Sequence, residues 1–199
     1  MVQRTKDTVK AALGWGHAMV HPLLRNRAHR DLREGAPFGA VLFVCLGNVC
    51  RSPYAEFSFR RLLPEPLAPL IQVASAGFIG PGRNPPEDAQ AVAAERSVLM
   101  DEHLSQVLTR GMSAQHDLIV VMEPGQRSAI LRQFGGEHGT VLILGDLDPE
   151  SPRLRRIRDP WGRPQEAFRE SFARIDRCLS ELLPYVGARP QVGHEGPFA

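Results

Sequence analysis

Cys45 and Arg51 bracket a five-residue run, Leu46-Gly47-Asn48-Val49-Cys50, that joins two segments of opposite character. Before it, Val41-Leu42-Phe43-Val44 has the unbroken apolar pattern of a buried strand. After it, Ser52-Pro53 leads into Tyr54 to Leu63, which reads as a helix. Strand, loop and helix in that order aim several backbone N–H groups at one point, with the helix N-terminus beneath. Such a nest takes a tetrahedral oxyanion and favours the thiolate form of a thiol at its base. A thiolate facing a phosphate, with a guanidinium to grip the oxygens, is equipped for phosphoryl transfer. The competing reading is plainer: a strand-end cysteine is also a small buried hydrophobe, and an arginine is also a surface cation.

The elements that must position this pair follow a β-α alternation from Gly39 onward, the pattern of a parallel sheet. Strands are expected at Ala40 to Val44, Leu70 to Ser75, Asp117 to Met122 and Thr140 to Leu144. Helices are expected at about Pro53 to Leu63, from Pro85-Pro86 to Arg96, from Glu123-Pro124 to Phe134, and from Pro164 to Leu183. The last carries an apolar stripe of Phe168, Phe172, Ile175, Leu179 and Leu182. In an open parallel sheet, ligands bind beyond the carboxyl ends of the strands. Cys45, Ser75, Met122-Glu123 and the loop to Asp159 all fall at that end.

The composition is that of an ordinary globular chain: 199 residues, 43% hydrophobic, 23% charged, net charge +2. That balance offers no global attraction to nucleic acid. The three cysteines, Cys45, Cys50 and Cys178, form no disulfide framework and point to a reducing, cytoplasmic setting. Residues 1–38 stand apart, with seven cations against three carboxylates, a net +4 that leaves −2 for the remainder. Val9, Ala12, Leu13, Gly16, Val20 and Leu23 recur at near-helical spacing, so an amphipathic helix that docks on a partner or an anionic membrane surface is one reading. A helix packed on its own domain is the other. The organisation expected is thus a basic extension over 1–38, one domain over 39–186 and a loose tail over 187–199.

These residues resemble the low-molecular-weight protein-tyrosine phosphatases, most closely the bacterial branch associated with polysaccharide-export tyrosine kinases. The resemblance rests on Val44-Cys45-Leu46-Gly47-Asn48-Val49-Cys50-Arg51-Ser52-Pro53, on Ser75-Ala76-Gly77, His103 and Asp117 to Met122, and on Asp159-Pro160 before a final long helix. It implies an α/β fold of three layers. A four-stranded parallel sheet of order 2-1-3-4 would carry helices on both faces, as in flavodoxin-like proteins. It also implies a phosphocysteine intermediate, no metal, no cofactor, a monomer, a phosphotyrosine protein as substrate, and phosphate or other oxyanions as ligands of the loop.

Carried over residue by residue, the resemblance makes Cys45 the nucleophile, Arg51 the phosphate clamp and Asp159 the general acid and base. Asp-Pro is also a common turn starter, and Asp146, Asp148 and Asp176 are rival acids. Ser52 is expected to donate to the Cys45 sulfur, or to cap the following helix. Asn48, Ser75 and His103 are expected to brace the loop, whose Leu46, Gly47, Asn48, Val49 and Cys50 contact the phosphate. Cys50 matches a second loop cysteine that traps an oxidised nucleophile as a disulfide. Trp161 stands where the family usually has tyrosine, and would stack on a substrate ring, with Phe78 as an opposite wall. Valine at position 49 favours phosphotyrosine, since threonine there accompanies arginine-phosphate substrates. An arsenate reductase on the same fold, a protein-arginine phosphatase and a catalytically dead phosphoprotein-binding module are the alternatives. The first needs further cysteines near the loop, and none lies between Cys50 and Cys178.

Overall fold

The computed structural model describes residues 21–134, 140–150 and 154–188. Helix α1 occupies 21–35. There follow β1 (Ala40–Cys45), α2 (Arg51–Leu62), β2 (Gln72–Gly77), α3 (Glu87–Ala94), α4 (Arg110–Gln115), β3 (Leu118–Val121), α5 (Pro124–Phe134), β4 (Thr140–Ile143) and α6 (Gln165–Leu182). The strands form one parallel sheet in the order β2-β1-β3-β4, the expected order.

Strand β1 sits between β2 and β3, with Phe43 level with both Ser75 and Val120. A strand buried on both faces must be apolar at every position, which explains the unbroken run Val41 to Val44. Alternate side chains serve two cores. Val41, Phe43, Leu118 and Val120 join Tyr54 and Phe59 of α2 and Phe168, Phe172 and Leu179 of α6. Leu42, Val44, Ile119 and Val121 face the other way, against Ile130 and Phe134 of α5 and Leu108. The ring of Tyr54 lies flat on Phe172, with centroids 3.8 Å apart.

Two differences from the expected elements have local causes. Strand β2 begins later because Ala68–Leu70 forms a 3-10 turn with a proline in it. Helix α4 was not anticipated. It has only six residues and little apolar pattern, but Thr109 caps it by accepting from the Met112 N–H at 3.1 Å, a signal available to a closer reading.

The extension has two fates. Positions Val9 to Val20 of the expected amphipathic helix lie outside the described residues, as does 189–199 of the tail. Residues 21–38 pack on the domain. Ala28 and Leu32 are buried in the core, Arg25 pairs with Glu181, and His29 Nδ1 lies 2.8 Å from the Tyr185 hydroxyl. Phe38 is buried and bridges to Val186 through hydrogen bonds with Tyr185 and Gly187.

Asp148 anchors the start of the loop that leads to Asp159. Its side chain is wholly buried and meets Arg174 at 2.8 Å and Arg177 at 3.3 Å. Burial alone raises a carboxyl's pKa, but the hydrogen bonds from Arg177 and the Glu150 N–H, with the two guanidinium charges, outweigh it and hold Asp148 below its ordinary value. The native carboxyl therefore binds its proton less tightly than the unfolded chain does. The resulting stabilisation is fully present above the ordinary value of 3.8 and is lost as pH falls through the lower native value. Asp148→Asn should cost about 3 kcal/mol at pH 7, since it leaves buried guanidinium charge uncompensated. Urea midpoints measured from pH 2 to 7 should show the variant losing less on acidification than the parent; parallel curves would refute the role.

Candidate active site

The loop between β1 and α2 is fixed from several directions. Asn48 takes a left-handed backbone conformation, φ 50°. Its side-chain amide donates to Ser52 Oγ at 3.0 Å and Ser75 Oγ at 2.8 Å, and its Oδ1 accepts from the Gln106 N–H at 2.9 Å. The Asn48 carbonyl accepts from His103 Nε2 at 2.8 Å. Ser75 in turn donates to Glu56, which pairs with Arg60. Asn48, Ser52, Ser75 and His103 are thus one buried network, and satisfied polar networks of this kind rigidify what they surround. Gly77, at the end of β2, is required here. A Cβ on it would come within 2.8 Å of the Asn48 nitrogen and 2.9 Å of the Leu46 oxygen.

Cys45 ends β1 at the base of this loop, almost fully buried. Ser52 Oγ lies 3.1 Å from Cys45 Sγ and 3.3 Å from the Ala76 carbonyl, so its single proton can reach either. The cap position of α2 is held by Cys50, without a side-chain capping bond. Ser52 therefore serves the loop and not the helix end. Among the described residues, no acceptor takes the backbone N–H groups of 46–50. Burial first, then the neighbouring Cys45 and Asp159, push the Cys50 thiol far above its ordinary value, which keeps it protonated.

Arg51 is the first residue of α2, and its side chain is 1% exposed. Nη1 donates to Glu123 at 2.7 Å and to the Ile157 carbonyl at 2.9 Å, while Nη2 meets Asp159 Oδ2 at 2.5 Å. Nε, though buried, has no partner. The other oxygen of Asp159 accepts from the Trp161 N–H at 3.2 Å. The guanidinium is therefore oriented by one edge, and its Nε–Nη2 edge is free or held only by Asp159.

Cys45, Leu46, Gly47, Val49, Cys50 and Asp159 line one cavity of about 120 Å³, walled by Trp161, Ile79 and Arg83. Trp161 is 55% exposed and Ile79 52%, so the mouth is apolar and open. The wall opposite Trp161 was expected from Phe78. That residue instead packs against the sheet face that carries Val44 and Val121, because consecutive residues leaving a strand point to opposite sides. The rival acids are committed elsewhere. Asp146 is bound in a fork by Arg155, Asp148 by Arg174 and Arg177, and Asp176 by Tyr54, Ser58 and Arg96. Cys178 is buried in the core on α6. Sequence reasoning placed Glu123 at the ligand end of the sheet without giving it a role, and did not find Arg83. Arg83 ties the loop to the next one, with Nη2 2.8 Å from the Gly47 carbonyl and Nε 2.8 Å from that of Gly80. Glu123 had a weak signal, its place at the carboxyl end of a buried strand.

A parallel α/β sheet that ends in an anion-ready cysteine loop, closed by a buried arginine and an aspartate, defines a phosphate-ester chemistry site. Residues 40–192 match the family model described as low molecular weight phosphotyrosine protein phosphatase. The chain is 32% identical over 154 residues to the Escherichia coli low molecular weight protein-tyrosine-phosphatase Wzb, covering 76% of this chain and 97% of that one. The structure of Vibrio vulnificus Wzb in complex with benzylphosphonate aligns with TM-score 0.65 and 32% identity, over 74% of this chain and 98% of the other. The arginine phosphatase YwlE, as a Cys-to-Ser mutant with a phosphorylated active-site serine, aligns with TM-score 0.65 and 26% identity, over 73% and 93%. The chain belongs to the low-molecular-weight protein-tyrosine phosphatase family, and is a hydrolase of phosphoric esters. Among the described residues, no helix is long and apolar enough to cross a membrane.

Proposed function

We propose that this enzyme hydrolyses phosphotyrosine in proteins through a phosphocysteine intermediate, with Cys45, Arg51 and Asp159 as its catalytic residues. The observation that carries the reading is that Cys45 and Asp159 border one cavity while Asp159 rests on Arg51. The Cys45 thiolate attacks phosphorus and the phosphorus–oxygen bond to the ring breaks. Asp159, entering as the acid, gives its proton to the departing phenolate oxygen. The resulting carboxylate then takes a proton from water as that water attacks phosphorus and expels the sulfur. Ser52 supplies a hydrogen bond to the thiolate as it leaves. The Nε–Nη2 edge of Arg51 fits two phosphoryl oxygens, in competition with Asp159. A dianionic phosphate thereby releases the acid toward the leaving group. The N–H groups of Leu46, Gly47, Asn48, Val49 and Cys50 complete the cradle, held in shape by Ser75 and His103, and Trp161 stacks on the substrate ring.

The three free cysteines suit a reducing, cytoplasmic setting. The likeness to the tyrosine phosphatase Wzb supports a phosphotyrosine protein as substrate, and the protein substrate of this reading is a bacterial tyrosine kinase or another regulator of polysaccharide export. Arginine phosphate is the second reading, favoured by the alignment with YwlE. Valine at position 49 lines the cavity with a second apolar surface beside Ile79 and Trp161, which suits a phenyl ring better than a guanidinium. Matched phosphotyrosine and phosphoarginine peptides decide the matter. The expected result is Cys45-dependent phosphate release from the first at least about tenfold faster in kcat/KM, roughly the discrimination a mismatched polar group brings to an apolar pocket. Faster release from the phosphoarginine peptide would reverse the assignment.

A further inference from the structure

A second groove, of about 250 Å³, adjoins the catalytic cavity, and Asp159 lines both. Its floor includes Leu154 and Ile157, and Arg158 and Arg163 line it. The backbone beneath Arg158 is pinned on both sides. The Ile157 N–H donates to the Met122 carbonyl at 2.9 Å, the Ile157 carbonyl accepts from Arg51, and the Arg158 carbonyl accepts from Ser171 Oγ at 3.3 Å. Ile157 is buried and Arg158 exposed, so the guanidinium is presented outward from a fixed position. Arg163 is placed by a turn whose N–H bonds back to the Pro160 carbonyl at 3.0 Å and whose Gly162 has φ 68°. That turn sets Trp161 against the catalytic cavity and Arg163 against the groove.

Charge in the groove is unbalanced. Arg174 also borders it, but its guanidinium is consumed by Asp148 and three carbonyls. Asp159 is consumed by Arg51. Arg158 and Arg163 have no ion-pair partner among the described residues, and Glu170 is the one further carboxylate on the groove. Two outward guanidinium groups thus face one carboxylate, beside the place where a phosphorylated ring enters.

We infer that this groove is a subsite for the peptide flanking the phosphotyrosine, and that Arg158 and Arg163 select an acidic side chain there. The inference rests on the phosphotyrosine reading. Because Asp159 borders both the cavity and the groove, a chain extending from the ring at about 3.3 Å per residue passes from one into the other close to the phosphotyrosine. Planar guanidinium groups on a fixed backbone match a carboxylate in two-point fashion.

The test uses three peptides that differ only in the residues next to phosphotyrosine: Glu, Gln or Lys. The native enzyme should favour the Glu peptide over the Gln peptide by about twofold to fivefold in kcat/KM at low salt, the range expected of exposed charge pairs. The ratio should shrink toward one at roughly 0.5 M salt, as screening requires. The Arg158→Glu/Arg163→Glu double variant should prefer the Lys peptide. Because each ratio is taken within one protein, general damage cancels. Arg163→Gln, on an exposed turn, should still show a reduced Glu preference if the double variant fails to fold. A native ratio near one, or a Glu preference that survives Arg163→Gln undiminished, overturns the subsite and leaves the tyrosine reading standing. No Cys45-dependent hydrolysis of any peptide would overturn both.

Discussion

Cys45→Ser should lower turnover of phosphotyrosine peptides by a factor on the order of 10⁴ or more, the loss expected when a nucleophile is removed from a unit that acts together. A serine hydroxyl has to be deprotonated to attack, and no base stands ready to do it. His103 is committed to the Asn48 carbonyl at 2.8 Å, and under the proposed roles Asp159 enters this step as the acid, not as a base. Cys50 cannot substitute, since burial keeps its thiol protonated. The change is nearly isosteric, and Cys45 is already accompanied by the Ser52 hydroxyl. The variant should therefore fold and keep its melting temperature within a few degrees, equivalent to about 1 kcal/mol or less. It should also retain phosphorylated substrate, so its captured proteins, read by phosphopeptide mass spectrometry, would name the physiological target. A folded Cys45→Ser enzyme that still turned over at a tenth of the native rate would end the nucleophile assignment.

Arg51→Lys keeps the positive charge and should lose about 10²- to 10³-fold in kcat, the range expected when a preorganised donor to a developing oxyanion is removed. The reason is geometric. The guanidinium uses Nη1 to hold Glu123 and the Ile157 carbonyl, while Nε is unpartnered and Nη2 is held by Asp159, so under the proposed role one edge takes the phosphate. An ammonium group is a single point and cannot do both. Some stability should go as well, about 1–3 kcal/mol, because the Ile157 carbonyl loses its buried donor. Steady-state kinetics and a vanadate inhibition constant separate the two effects. Retention of kcat within about fivefold would contradict the clamp, since a fork lost with no penalty was never used in the transition state.

The geometry of the loop was legible because it is local. Backbone N–H groups, a thiol and a helix start are brought together by adjacent residues of one strand-loop-helix unit, so spacing along the chain determines spacing in space. The sheet was legible for a related reason. A strand buried on both faces must be apolar throughout, and Val41 to Val44 and Leu118 to Val121 satisfy that condition without reference to anything distant. Where local signals were short, as at α4, or where β2 and the Phe78 turn depended on a neighbouring 3-10 turn and on facing direction, the reading slipped. Position along the chain says nothing of which side a residue leaves by once a strand ends.

What the amino-acid order by itself determined is therefore the placing of Cys45 and Arg51 at the two ends of one loop, the strand that precedes it and the helix that follows. The tertiary structure decided everything that depends on encounters between distant segments. It seated Arg51 against Glu123, Ile157 and Asp159, tied Asp146, Asp148 and Asp176 to arginines that keep them from the cavity, and used Arg83 to hold the loop. It folded residues 21–38 onto the domain and left Arg158 and Arg163 facing a groove. Long charged side chains find their partners only after the backbone has closed, since a guanidinium reaches across many positions in sequence and its free energy depends on which carboxylate burial brings within hydrogen-bonding distance.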